Sequence, residues 1–322
     1  MGSPKEMEQC GLLSKDNVQP ILATAPMYSA WEQIDIVRKI PQATQLYFAT
    51  HYNVPLFYRG KMLVTIYDLF HLAMPDLVGG LHKRLYARAM FNAVRRKASA
   101  IITISHFTKK ELIRFTGREK QEIYPIHLGV EGSWFNIKKD VSPHGNAYVL
   151  YVGNVKPHKN LSALIKAFGS ICDKIPHDLV IVGKKEGFIT GDEIVAREAG
   201  RLGARVQFTG YVDNGRLQQY FAHADAFILP SFYEGFGLPP LEAMAAGCPV
   251  IVANAASLPE VCEDAAIYCD PYSYEDIADK ILLIVNDSSL REMLRKKGLA
   301  HARHFTWEKC VNETCEVIDK LL

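Results

Sequence analysis

From residue 147 onward the chain repeats one pattern: a short apolar run, a polar turn, then a stretch with apolar positions three and four apart. The apolar runs are residues 147–152 (AYVLYV), 179–182, 206–209, 226–229, 250–253 and 266–268. Their length and β-branched content predict buried strands, and the periodic stretches 161–172, about 192–201, 214–222 and 241–246 predict the helices between them. Strands separated by helices make βαβ units, hence an α/β, doubly wound parallel sheet with helices on both faces. Ligands of such sheets sit at the carboxyl ends of the strands. The turn GNVKPHKN (153–160), Gly183-Lys184, Gly210-Tyr211 and the loop SFYEGFG (231–237) all follow strands, so they are expected to share one rim.

The first half alternates less regularly. Runs 45–49 (QLYFA), 62–66 and 100–104 read as strands, with a long helix at 80–97 between the last two and a further strand at 125–128. A doubly wound domain ordinarily opens on a strand and a glycine-rich turn, and nothing before Gln45 supplies them. The expected layout is an unstructured segment 1–17, a shortened Rossmann-like domain 18–136, a polar linker 137–146 with Pro and Gly, a Rossmann-like domain 147–304, and a C-terminal helix 305–322 packing back on the first domain.

At 322 residues the chain has room for two ordinary domains. The net charge of +2 implies no nucleic-acid partner. The 7 cysteines are scattered, without a CxxC pair or zinc spacing, which fits a reducing cytosol. The polar N-terminus carries no signal-peptide pattern, and no apolar stretch reaches the roughly 20 residues that span a bilayer. A cytoplasmic protein is expected.

The strongest chemical candidates lie in 226–253. A glycine loop, Gly235 to Gly237, feeds a helix start, where backbone N–H groups hold anions. Glu242 is expected in the first turn of that helix and Glu234 in the loop before it. Carboxylates accept hydrogen bonds and suit the paired hydroxyls of a ribose or hexose. Taken singly, Glu242 also reads as an acid favoured by the helix dipole and Glu234 as a solvated loop acid. Lys156 and Lys159 follow the strand 147–152, where a compact positive charge would support a leaving diphosphate. Solvated surface lysines are the alternative. The helix 80–97 carries Lys83, Arg84, Arg88, Arg95, Arg96 and Lys97, with Leu81, Leu85 and Ala89 spaced by four. Either the apolar stripe faces the core, or this basic amphipathic helix lies on an anionic membrane.

The motifs YVGNVKPHKNLSALIKAF, FTGYV, ADAFILPSFYEGFGLPPLEAMAAGCPVI and NAASLPEV, with THYNVP, VTIYDLFHLAMPD, ITISHFTKKEL and HLGV in the first half, resemble the retaining nucleotide-sugar glycosyltransferases of family 4. That resemblance implies a GT-B fold, two Rossmann-like domains facing a cleft, with Glu234 and Glu242 as the paired acids of an E-x7-E motif. By the family pattern Glu242 would bind the ribose and Glu234 the donor sugar. The amides of Gly235, Phe236, Gly237 and Leu238 would hold sugar and diphosphate. Lys159 would neutralise the diphosphate, and Tyr211 would lie along the base. Three departures stand out. Asn154 occupies a position where the family commonly has arginine, leaving Lys156 as a substitute. Tyr67-Asp68 replaces the usual His-Asp, whose histidine touches the donor sugar in the family. Tyr67 can still donate one hydrogen bond there. His51 and His71, near it in the sequence pattern, read equally as donor- or acceptor-side groups and as ordinary loop or core histidines. The N-terminal strand and glycine loop are missing.

The resemblance therefore implies hexosyl transfer with retention, from a nucleotide diphosphate sugar to a glycan or lipid-linked acceptor, without a metal or other cofactor. Resemblance to mannosyltransferases of polysaccharide assembly puts GDP-mannose first among donors and UDP-sugars next. Its expected place is the cytoplasm, with a peripheral contact at the inner membrane face. Two alternatives stand: a nucleotide-sugar-binding protein impaired in catalysis by its short N-terminal domain, and another GT-B enzyme such as an epimerase or phosphorylase. The E-x7-E frame argues against the last.

Overall fold

All strands pair in parallel, in two sheets, in the computed structural model, which describes residues 16–23, 25–26, 28–117, 122–183 and 193–322. The N-terminal sheet holds β1 (Tyr47–Ala49), β2 (Met62–Ile66), β3 (Ala100–Thr103) and β4 (Glu122–Pro125), in the order β1-β2-β3-β4. Around it lie α1 (Ala30–Lys39), the single turn α2 (Phe70–Ala73), α3 (Leu81–Lys97) and α4 (His106–Thr116). Met62, Val64 and Ile66 pack against Met90, Phe91 and Val94 of α3 and Leu112 of α4.

The C-terminal sheet holds β5 (Tyr148–Val152), β6 (Asp178–Val182), β7 (Val206–Gly210), β8 (Ala226–Leu229), β9 (Val250–Ala253) and β10 (Ile267–Cys269). Their order is β10-β9-β8-β5-β6-β7. Helices α5 (Leu161–Gly169), α6 (Glu193–Leu202), α7 (Asn214–His223), α8 (Leu238–Ala245), α9 (Leu258–Cys262), α10 (Tyr274–Asn286) and α11 (Ser288–Ala302) complete the lobe. β6, β8 and β9 are buried along their whole length, as strands covered on both faces must be. Strand order reverses between β5 and β8. Chains leaving these neighbours turn to opposite sides of the sheet, which opens a crevice at their carboxyl ends. The turn after β5 is GNVKPHKN and the loop after β8 is SFYEGFG.

The last helix, α12 (Trp307–Leu321), crosses to the N-terminal sheet, where Val317 joins Leu63, Ala100, Ile102 and Ile126. Val130 bridges Thr306 in parallel, and its N–H donates to Phe305 O at 2.9 Å. Gly129 permits this crossing, because a Cβ there would stand 2.0 Å from Trp307 N.

Several expectations need correction. The helix expected over 161–172 stops at Gly169, and a 3-10 turn, Cys172–Lys174, follows. The strand expected at 125–128 lies at Glu122–Pro125. It is a half-exposed edge, where a continuous apolar run is unnecessary. The helix expected from 241 begins at Leu238, because prolines fit the first turn of a helix, whose N–H groups lack partners anyway. Glu242 is therefore in the second turn, not the first. On α3 the buried face is Ala87, Met90, Phe91 and Val94, while Leu81 and Leu85 are 69% and 57% exposed and Ala89 is exposed too. The core thus takes the bulkier stripe and leaves the leucines outside. Helix α1, capped by Ser29 Oγ on Glu32 N, had no counterpart in the sequence reading. Of the expected features, residues 1–15, Lys184 and Asp192 lie outside the described residues.

Candidate functional site

The switch between β5 and β8 assembles a charged pair. Lys159 ends the turn after β5, and its Nζ donates to Glu234 Oε1 and Oε2 at 2.6 and 2.8 Å. Asn160 holds this turn in a left-handed conformation (φ 58°) and donates Nδ2 to Pro230 O at 3.0 Å and Pro271 O at 2.7 Å, tying it to the loops after β8 and β10. Ser257 Oγ, before α9, fixes the glycine loop by donating to Glu234 O (2.9 Å) and Phe236 O (2.7 Å).

Beyond Glu234 the chain enters α8 through Gly237, whose φ of 116° excludes a side chain without strain. Among the described residues no hydrogen-bond acceptor meets the amides of Gly235, Phe236, Gly237 and Leu238. Free donors at a helix start form an anion cradle. Glu242 lies half-buried one turn further on. Burial, and secondarily the charge of Glu131, raises its carboxyl from 4.5 to about 7.

His158, between the two lysines, is buried, with Nδ1 unpartnered and its ring 4.3 Å from that of Phe70. Burial, then Lys159 and Lys156, pushes its pKa down to about 3, so it stays neutral and leaves the positive charge to the lysines. Lys156 and Asn154 are exposed on the rim, as is Tyr211 after β7.

From the opposite lobe the loop after β2 lies directly on the glycine loop. A Cβ on Gly235 would meet Tyr67 O at 2.0 Å. Ser105 and Thr108 hydroxyls donate to Gly235 O at 2.7 and 3.1 Å, and Leu69 N donates to Tyr233 Oη at 3.3 Å. Glu260 of α9 reaches across to cap α4, accepting from His106 N (2.7 Å) and Phe107 N (2.8 Å), while His127 Nε2 stands 2.9 Å from Oε1. Burial alone would raise the Glu260 carboxyl, but His127 and these two N–H groups hold it below the ordinary range.

The structure thus brings Lys159, Glu234, Gly235, Phe236, Gly237 and Leu238 together, with Glu242 one helical turn away. Asp68 acts on both His51 and His71, whose rings stand 4.2 and 6.3 Å from the ring of Tyr52. Burial lowers both histidines despite Asp68, and Lys83 and Lys156 lower His71 further, so both favour the neutral imidazole. The ring of Tyr67 does not join this group. It lines an apolar groove with Phe48, Trp307 and Cys310, under α12. Ser105, Thr108, Tyr233, Ser257 and Glu260 were not anticipated as site residues. Local signals existed at two places: Ser105 as a serine directly before a helical stretch, and Ser257 with Glu260 three places on, the spacing of a helix-start box with a proline in its first turn.

Comparison with known proteins supplies the family. Residues 132–301 match the model described as Glycosyl transferases group 1. The chain is 31% identical over 278 residues to O-antigen chain mannosyltransferase B of Escherichia coli, covering 82% of this chain and 72% of that protein. It is 28% identical over 246 residues to the O-antigen chain mannosyltransferase RfbU of Salmonella typhimurium, covering 76% of this chain and 66% of the relative. Among solved structures, Anabaena HepE in complex with UDP-glucose superposes with a TM-score of 0.78 at 21% identity, over 97% of this chain and 88% of that one. Sucrose-phosphate synthase from Thermosynechococcus elongatus gives 0.77 at 21% identity, over 95% and 82%. These likenesses give the GT-B architecture, and with the matched domain they place the protein: this chain belongs to the group 1 glycosyl transferases.

Proposed function

We propose that the chain moves a hexosyl unit from a nucleoside diphosphate sugar to an acceptor hydroxyl, with retention, in the assembly of a surface polysaccharide. GDP-mannose is the first donor, because the relatives named above are O-antigen mannosyltransferases. UDP-glucose is the second, because the HepE structure holds it. The observation that carries this reading is the Lys159–Glu234 pair beside the amides of 235–238, at the reversal of strand order.

In this reading the bond from the anomeric carbon to the leaving phosphate oxygen breaks. The acceptor hydroxyl attacks the same face, and its proton passes to that phosphate oxygen. Lys159, Lys156 and the amides offset the charge that develops on the diphosphate. They do so without a divalent ion, so transfer is expected to proceed in EDTA. Glu242 accepts hydrogen bonds from the ribose hydroxyls, and Glu234 orients Lys159 and meets the donor sugar. His51, Asp68 and His71 stand on the facing lobe, on the side of the hexose and acceptor. The exposed Leu81–Leu85–Ala89 stripe, bordered by Arg84 and Arg88, suits a helix lying on an anionic bilayer, where a lipid-linked acceptor would be within reach. Among the described residues no helix is long and apolar enough to cross a membrane.

The test is donor turnover in EDTA, with the anomeric configuration of the released or transferred sugar followed by NMR. Slow hydrolysis of GDP-mannose with retention, reduced by about 10²–10³-fold in Lys159→Ala, supports the reading. Inversion rejects the retaining mechanism, and failure to bind either GDP or UDP rejects the donor site. Binding without any turnover favours a nucleotide-sugar-binding protein instead. That second reading is motivated by the N-terminal sheet, which has 4 strands among the described residues against 6 in the C-terminal sheet.

A further inference from the structure

We propose that His106, His127 and Glu260 form a binding site for a divalent transition metal, zinc foremost, at the seam between the two lobes. The three residues come from different parts of the fold: the start of α4, the segment after β4, and α9. One ligand atom from each lies within 4.8 Å of the other two. Two imidazoles and one carboxylate form a donor set for zinc and its neighbours, whereas calcium and magnesium call for oxygen ligands throughout.

The surroundings favour a built site. Both histidines line a cavity of about 200 Å³ that His304 also borders, which leaves room for water to complete the coordination of a metal. Lys309 lines the same cavity but stands 4.0 Å from Glu313, which offsets its charge. Glu260 is held in orientation by the N–H groups of His106 and Phe107, the kind of outer support that fixes metal-binding carboxylates. Among the described residues its Oε2 accepts one bond, from Phe107 N, so a lone pair remains for a cation. At His127 a metal bound to Nε2 takes the place of the hydrogen bond to Glu260 Oε1, and the neutral imidazole then carries its one proton on Nδ1.

Because its ligands come from both lobes, a bound metal ties the glycine-loop lobe to the facing lobe. An ion that binds only the assembled state stabilises it by mass action. This role is separate from donor chemistry and holds whether or not the chain turns over a sugar nucleotide.

The full chain, stripped with EDTA, is titrated with zinc chloride by calorimetry and by thermal melting, and with cobalt(II) for its electronic spectrum. Expected are one zinc per chain, a melting temperature that rises with zinc, and a cobalt spectrum without a sulfur-to-metal band. His106→Ala, at an exposed position, and His127→Gln, which retains a hydrogen-bond donor toward Glu260, should each weaken zinc binding about 100-fold. Two variants guard against a single folding failure, and each one's metal-free melting curve reports its fold. Absence of zinc binding, unchanged affinity in the folded variants, or a thiolate band from the cysteines would overturn the site.

Discussion

Lys159 Nζ bridges both carboxylate oxygens of Glu234, 75 residues away, at 2.6 and 2.8 Å. The side chains are 20% and 12% exposed, so each charge depends on the other for its compensation. In the proposed donor mode an incoming diphosphate would compete with Glu234 for the ammonium, and the amides of 235–238, without acceptors among the described residues, would supply the remaining donors. Lys159→Ala should lower the turnover number for donor hydrolysis by about 10²–10³-fold, and Lys159→Arg should restore part of it. Glu234→Gln leaves the lysine unpaired, so it should bind GDP more tightly while losing turnover. Steady-state kinetics and calorimetry measure both, and undiminished turnover in Lys159→Ala would remove the lysine from the chemistry.

Glu242 gives a pH signature. Its folded-state value of about 7 is raised above 4.5, chiefly by burial. The stability it contributes is therefore complete below 4.5 and is lost as pH rises through 7, where a half-buried carboxylate must ionise. If Glu242 holds the ribose as proposed, nucleotide binding should run the other way, because only the ionised form accepts from both ribose hydroxyls. Affinity for an intact sugar nucleotide, whose diphosphate carries no proton titrating in this range, should rise between pH 6 and 8. Glu242→Gln should flatten that rise and increase the melting temperature more at pH 8 than at pH 5. A pH-independent affinity in the parent chain would contradict the ribose role.

Much of this was legible before the fold was known. The strands of the second half announce themselves because β6, β8 and β9 are apolar at nearly every position, and the glycine loop and its two acids are contiguous in sequence. The depth of Glu242 was not legible: Pro239 and Pro240 look like loop residues until it is known that the helix starts at Leu238. Nor could α3 be oriented. Leu81, Leu85 and Ala89 form one apolar stripe and Ala87, Met90, Phe91 and Val94 another, and spacing alone does not say which one meets the sheet. The ties between lobes, from Glu260 to His106, Phe107 and His127, and from Ser105 and Thr108 to Gly235, join residues up to 154 positions apart. Only the packed lobes bring them together.

Gly235 marks where the lobes touch. A Cβ there would stand 2.0 Å from Tyr67 O and 3.1 Å from Asp68 Cβ, and a backbone carbonyl does not swing aside as a side-chain tip does. Gly235→Ala should push the loop after β2 away from the glycine loop and stretch the bonds from Ser105 and Thr108. A cost of about 1–3 kcal/mol is expected from such overpacking, together with reduced donor turnover. Gly145→Ala, with nothing within 4 Å of its Cβ, is the matched control. Chemical denaturation of the two variants measures the difference, and equal stability would mean that the lobes do not meet in solution as they do here.

The exposed stripe on α3 leads to a surface prediction. Leu81 and Leu85 lie outside the core, with Arg84 and Arg88 bordering them on the helix, so apolar insertion and charge attraction act on the same side. Burying each leucine in the acyl boundary contributes about 1.5–3 kcal/mol, so Leu81→Ser and Leu85→Ser should each weaken binding to anionic vesicles by roughly tenfold or more. Added salt should weaken binding further by screening the basic residues, and neutral vesicles should bind poorly at any salt. Since neither leucine packs in the interior, the melting temperature of the double variant should stay close to that of the parent. Co-sedimentation with phosphatidylserine-containing and pure phosphatidylcholine vesicles separates the outcomes: equal retention of parent and double variant would assign the stripe to something other than a bilayer.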